Sequence, residues 1–299
     1  AAAPPAPRRT VNLLGFPSTP AVRELEALLG RAGVAVNMRF LPDISPDHVD
    51  RLPNAGMNVL LPNRTWRHLF DQITFESRTP HISPTAPYGL EGTRRWLDDV
   101  AAAMEVSEQV EAAWQDHVAP WQARWDTLRR QAASRRLGLV VRDAETYYLT
   151  TPGTTWGVPL VALLEEMGFG LDVLIRVGDK AVARKNARAV RDMFAQPERH
   201  TIRAFDSFAF LRHRLRESPC DALLSYQFFD WRITEAGKAP FSLQHLEMGV
   251  PGAVRSLERL LRVCGTSFFR RYGRYLARTS EGLRAPPTPP AQQGGPDHG

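Results

Sequence analysis

Cysteine is nearly missing from this chain: Cys220 and Cys264 are the two among 299 residues. Two cysteines with no CxxC neighbour build neither a disulfide framework nor a self-contained cluster or zinc site, so a metal would need ligands from another chain. Long apolar runs are missing as well. No stretch approaches the roughly 20 residues that span a bilayer, and Ala1–Arg9 has no apolar segment of signal-peptide type, so a cytoplasmic chain without a membrane span is expected. No GxGxxG follows either leading strand; PSTP and TTPGTTWG stand there instead, which speaks against a dinucleotide or P-loop site. GxSxG, HExxH and paired Cys/His spacings are also absent.

What is present is a globular composition, 43% hydrophobic, over a length that allows two domains. The formal charge of +6 is spread as Arg pairs and clusters through helices, with no nucleic-acid motif beside them. It reads as solvated helix faces, and no nucleic-acid partner is expected.

Apolar periodicity gives strands at Thr10–Phe16, Val34–Leu41, Met57–Leu61 and His81–Ser83, alternating with helices at Ala21–Gly33, Trp66–Phe75 and from Thr93 to Met104. Such alternation predicts a mostly parallel sheet with right-handed crossovers. Glu105–Arg136 reads as long and helical, with Trp114, Trp121 and Trp125 on one face for packing or for an interface, and Pro120 as a kink or a first-turn residue. The pattern then restarts, with no sequence repeat visible, through strands Leu137–Val141, extended through Thr146–Leu149, then Leu171–Val177, His200–Phe205, Ala222–Gln227 and Pro240–Leu243. Helices lie between them, and a long final helix, interrupted near Gly265, runs over Gly249–Arg274. The division predicted is a linker over 1–9, an α/β domain over 10–105, connecting helices over 106–136, a second α/β domain over 137–280 and a disordered tail over 281–299.

Chemistry is expected in the loops after strands: Phe16–Thr19, Pro62–Thr65, Pro84–Gly92, Thr150–Trp156 and His245–Glu247. In open α/β sheets such loops converge at the carboxyl ends, where ligands bind. Pro84–Gly92 leads to a helix start, so Gly89, Gly92 and Thr93 offer backbone N–H groups and Tyr88 a ring, although a well-capped connection explains one such loop equally well. Tyr88, Trp156 and Tyr226 offer aromatic faces, and Arg64 a carboxylate partner. His245 follows a short strand and precedes a helix start, whose dipole favours a neutral ring fit for a metal or for a structural cap.

Together, VNLLGF, VAVNMRFLPD, MNVLLPNRTWRHL and PHISPTAPYGLEGTRRWL resemble the second domain of nitrogenase component 1 proteins and of light-independent protochlorophyllide reductases. TYYLTTPGTTWGVPLVALLEEMGFGLDVL and APFSLQHLEMGVPGAVRSLERLL resemble the family's third domain. The resemblance implies two Rossmann-like domains with a ligand cleft between them, a paralogous second subunit in a heterotetramer, and electron transfer from an ATP-dependent iron–sulfur reductase. Substrate reduction would occur at a metal cofactor or on a tetrapyrrole. It also implies a [4Fe-4S] cluster, whose cysteines belong to a first domain that would precede Ala1; this chain has none of them. The family's cofactor-ligating cysteine falls at Pro62, beside Asn63 and Arg64, and its cofactor histidine falls at His245, a metal ligand by that match, with Glu247 close by. The loop holding Thr154 and Trp156 matches backbone that packs around the cofactor. The function expected is therefore a pocket-forming subunit of a nitrogenase-like oxidoreductase. Alternatives are a non-catalytic cofactor-assembly scaffold and a two-lobe small-molecule binding module.

Overall fold

Every residue of Thr10–Leu14 (β1) is buried, as a parallel strand with helices on both faces requires. The computed structural model describes residues 9–151, 157–178, 180–225, 231–273 and 275. After β1, Thr19 caps helix Pro20–Arg31 (α1), its Oγ1 accepting the Val22 N–H at 3.3 Å. The helix buries Ala21, Val22, Leu25, Leu28 and Leu29. Gly33 follows it with φ +79°, the left-handed stop expected after a helix. Strand Ala35–Phe40 (β2), helix Pro46–Arg51 (α2), strand Met57–Leu60 (β3), helix Arg67–Ser77 (α3) and strand His81–Ile82 (β4) complete the first set. The strands form one all-parallel sheet in the order β2-β1-β3-β4.

Helices Gly89–Ala103 (α4) and Val110–Ala132 (α5) lead to the second sheet. It contains strands Arg136–Arg142 (β5), Gly170–Arg176 (β6), Thr201–Phe205 (β7), Ala222–Ser225 (β8) and Ala239–Pro240 (β9). Helices Tyr147–Thr150 (α6), Leu160–Glu166 (α7), Lys180–Arg191 (α8), Phe208–Glu217 (α9) and Trp231–Glu235 (α10) lie between them in the chain. All pairings are parallel, in the order β7-β6-β5-β8-β9. Helix Gly249–Gly265 (α11) returns across the molecule to pack on α1, α4 and α5, and further helical residues follow it at 268–273. One hydrophobic cluster consequently includes Val11 and Leu25 of the first set, Trp96 and Trp125 of α4 and α5, Leu139 of β5 and Leu257 of α11.

The two parallel sheets flanked by helices agree with the sequence reading; several boundaries do not. Thr146–Leu149, expected to extend a strand, is turn and helix: Glu145 accepts both the Arg142 N–H and its guanidinium, and Thr146 Oγ1 donates to Asp143 O at 2.8 Å. Those side-chain bonds offer the backbone a turn in place of the ladder. Helix α4 begins at Gly89, not after Gly92. The expected strand over Pro240–Leu243 is Ala239–Pro240, followed by a 3-10 turn at Leu243–His245. Pro120 lies inside α5, whose Trp114 and Trp125 are buried while Trp121 packs half-buried on the cluster. A polar ladder also crosses the first sheet, unannounced by the apolar pattern. Asn12 Nδ2 donates to Asn58 Oδ1 at 2.8 Å, and Asn37 Nδ2 donates to Asn12 Oδ1 at 2.7 Å. Asn37 is the extra residue where the β1–β2 register shifts.

Candidate functional site

Parallel sheets bind ligands outside the carboxyl ends of their strands, at the point where strand order reverses. That point lies between β1 and β3 in the first sheet and between β5 and β8 in the second. The loops leaving β3 and β5 meet. The Arg64 guanidinium lies over the Tyr147 ring, 5.8 Å from its centroid, within cation–π range. Gly157 (φ +78°) fits so closely that a Cβ there would stand 2.8 Å from Ala86 Cβ and 3.1 Å from Pro62 O. Only a glycine takes that backbone conformation in that space without strain.

A second junction joins the two helix starts. Tyr88 and Met248 form an antiparallel bridge, and the Gly249 N–H donates to Pro87 O at 2.8 Å. Gly89 and Gly249, the first residues of α4 and α11, both have φ +76°. The local sequences match as well: PYGLEG at 87–92 and EMGVPG at 247–252. This short correspondence is the sequence signal that pairs the two helix starts, and the reading of the chain as lacking an internal repeat passes over it.

Two N–H groups at the start of α4 are taken by a side chain of the second half. Glu166, at the end of α7, supplies it: Oε1 accepts the Leu90 N–H at 2.7 Å and the Glu91 N–H at 2.9 Å. A carboxylate suits a helix N-terminus. Burial nevertheless raises the Glu166 carboxyl to about 7, against the pull of those N–H groups and of Arg129. Of the donors at this helix start, the two that Glu166 occupies lie between Gly89 and Gly92. Gly92 lets the helix approach Ala86 O, 3.3 Å from where its Cβ would be. Thr93, fully buried, turns its hydroxyl back to Gly89 O and Pro87 O.

Of the other expected residues, His245 is half-buried and its Nδ1 lies 3.2 Å from Ser242 N and 3.1 Å from Ser242 O, closing the turn before α11 by accepting from the one or donating to the other according to its tautomer. Ligation by Nε2 requires the tautomer in which Nδ1 carries the proton and donates to Ser242 O, 3.1 Å away. Glu247 pairs with Arg255, at 2.8 Å, and with Arg259; Arg255 also reaches Glu24 of α1. Glu247 thus ties the turn before α11 to that helix, and Arg255 ties α11 to α1. Tyr88 is buried in the hydrophobic cluster, where burial pushes its phenol above the ordinary tyrosine range. Pro62 and Asn63 lie in the loop after β3; Asn63 is 7% exposed, and its Oδ1 accepts the Thr65 N–H at 3.0 Å. Thr154, Trp156 and Tyr226 lie outside the described residues.

The aromatic surface that the structure does bring to the junction is Tyr147 with Tyr148, whose ring centroids are 4.3 Å apart. The doublet is visible in TYYLT, yet its position at the junction follows from the turn that replaces the expected strand.

Cys220 and Cys264 are both buried, one just before β8 and the other at the end of α11. Burial raises both thiols, Cys264 to about 12. Among the described residues no group of three or more His, Cys, Asp or Glu is arranged to hold a metal ion. The residues present therefore do not fit an iron–sulfur cluster. No helix among them is long and apolar enough to cross a membrane.

Comparison with known proteins agrees with this architecture. A light-independent protochlorophyllide reductase polypeptide of Methylobacterium sp. (strain 4-46) is 29% identical over 220 residues, covering 70% of this chain and 40% of that protein. Its namesake from Methylocella silvestris is 33% identical over 88 residues, covering 29% of this chain and 17% of that protein. The chain thus spans well under half the length of these relatives. Solved structures named "Nitrogenase Cp1 at pH 6.5" and "Nitrogenase Cp1 at pH 5" superpose with TM-scores of 0.62 and 0.61 over 89% of this chain and 60% and 58% of theirs. At 13% identity that likeness concerns the fold alone. The model of the family described as nitrogenase component 1 type oxidoreductase matches residues 1–264, and the chain belongs to that family.

Proposed function

We propose that this chain is a subunit of a nitrogenase-like oxidoreductase and contributes walls of its substrate or cofactor pocket. A paralogous subunit completes the assembly, and an ATP-dependent iron–sulfur reductase delivers the electrons. The observation that carries this reading is the meeting of the two reversal points, Arg64 over Tyr147 and Gly157 against Pro62 and Ala86. A binding site between two parallel sheets needs such an edge-to-edge arrangement. The protochlorophyllide reductase relatives favour a tetrapyrrole substrate, for which Tyr147 and Tyr148 supply aromatic surface. The His245 Nε2 could orient the bound species or ligate its metal. The cluster's ligands lie outside the two cysteines of this chain, so no electron-transfer step is assigned to its side chains.

The test is anaerobic purification with co-expressed partner subunits, followed by addition of protochlorophyllide, the reductase, ATP and dithionite. Shifted pigment absorption and ATP-dependent reduction are expected. Retained iron with no pigment bound and no turnover would identify an assembly scaffold. Loss of both iron and turnover would leave a two-lobe binding module and overturn the oxidoreductase reading.

A further inference from the structure

Asn63 is 7% exposed, yet its Nδ2 has no hydrogen-bond partner. An unpaired buried donor is costly, and natural proteins keep few of them. Its Oδ1 is already used by the Thr65 N–H, which fixes the amide so that the NH2 group is the unpaired side. Its two neighbours in the chain both touch the second sheet's loop: Pro62 O lies against Gly157, and Arg64 lies over Tyr147. Arg64 is exposed, and its ring contact brings it no carboxylate; among the described residues it forms no ion pair, whereas Arg39, Arg94, Arg142 and Arg255 all do.

We propose that Asn63 Nδ2 and the Arg64 guanidinium form a clamp for a carboxylate of the bound ligand. This inference rests on the ligand site proposed above and specifies its chemistry. With Oδ1 taken by the Thr65 N–H, the Asn63 amide has only its NH2 group left to offer, the adjacent Arg64 guanidinium offers only donors, and a carboxylate is the organic group that accepts from both. The Tyr147 face parks Arg64 without neutralising it, so the cation stays available to an incoming anion. A neutral ligand of the same shape would leave the Asn63 donor unpaired, which makes the pair a specificity device.

The probes are sodium benzoate against methyl benzoate, and protoporphyrin IX against its dimethyl ester, titrated calorimetrically into the full chain. Asn63→Asp keeps the acceptor for the Thr65 N–H while replacing the donor with negative charge. Arg64→Ala changes an exposed side chain and so tests the clamp even if the Asn63 variant folds poorly. Benzoate should bind and its ester should not, with each substitution weakening benzoate about tenfold or more. Protoporphyrin IX should bind about tenfold tighter than its diester, a preference both variants lose. Acid and ester forms binding alike, or both variants binding benzoate like the wild type, would overturn the clamp. Binding of the porphyrin equally as acid and ester would sink the clamp and leave the tetrapyrrole pocket standing. Benzoate bound with protoporphyrin IX refused would support the clamp and sink the tetrapyrrole.

Discussion

At Gly89 two constraints meet: φ is +76°, and a Cβ would lie 2.0 Å from Glu166 Oε2. Gly89→Ala should therefore destabilise the chain by about 1–3 kcal/mol, through left-handed strain and displacement of the carboxylate that caps α4. Gly30→Ala is the control, since that glycine is inside α1, has no positive φ, and leaves nothing within 4 Å of where a Cβ would stand. It should gain about 0.5–1 kcal/mol from helix propensity. Urea denaturation of both variants checks the pair; equal effects would mean that the Glu166 contact has no weight. The glycine and its helix were legible in the sequence. Its partner was not, because Glu166 lies more than seventy residues away and sits at the end of an ordinary amphipathic helix. Asn63 shows the same limit: its residue type was visible, but the unpaired donor that gives it meaning exists only in the packed loop.

Among the elements, the start of β6 depends on a buried pair. His200 Nδ1 accepts the Leu171 N–H at 3.0 Å, and Nε2 meets Glu165 Oε1 at 3.0 Å, so the neutral ring carries its proton on Nε2. Glu165 also accepts from the Ala195 and Gln196 N–H groups. Burial lowers the His200 titration below its ordinary 6.5, against the pull of Glu165. For Glu165, burial pushes upward, but the two backbone N–H groups and His200 outweigh it and hold the carboxyl below its ordinary range. Both groups have folded values below their unfolded ones. Their stabilisation is therefore present at neutral pH and lost as pH falls, beginning near 6.5 for His200. His200→Ala should cost about 2–4 kcal/mol at about pH 7, by unpairing the Leu171 N–H and one Glu165 oxygen. Between about pH 7 and about pH 5 the variant should lose less stability than the wild type, as read by thermal melts across that range. A parallel decline would refute the assignment. Neither partner drew notice in the sequence, where a lone histidine and one of two adjacent glutamates carry no pattern.

For the whole molecule, α11 decides how the chain behaves. It buries Val250, Ala253, Val254, Leu257 and Leu260 against helices of the first half, although it lies near the other end of the chain. One hydrophobic cluster runs from β1 to β6 through it, and Arg255 joins it to α1 by way of Glu24. We propose that the division at residues 105 and 137 marks two sheets sharing one core. Leu257→Ala, at a fully buried position, should cost about 2–5 kcal/mol. It should also shift a single unfolding transition, with tryptophan fluorescence and circular dichroism coinciding. Two resolved transitions would show that the sheets fold independently.

The sequence by itself determined the α/β class, the parallel sheets, most element positions and the family, because apolar periodicity, turn residues and motif order are local or nearly local properties. It also marked the loops at the strand ends, since each loop follows its own strand. Only the tertiary structure decided which loops meet, that Glu166 fills the start of α4, that His245 Nδ1 serves a cap and that Asn63 retains an unpaired donor. Those are matters of hydrogen-bond completion between residues far apart in the chain. A donor or acceptor is spent or left over only once the whole fold has closed around it.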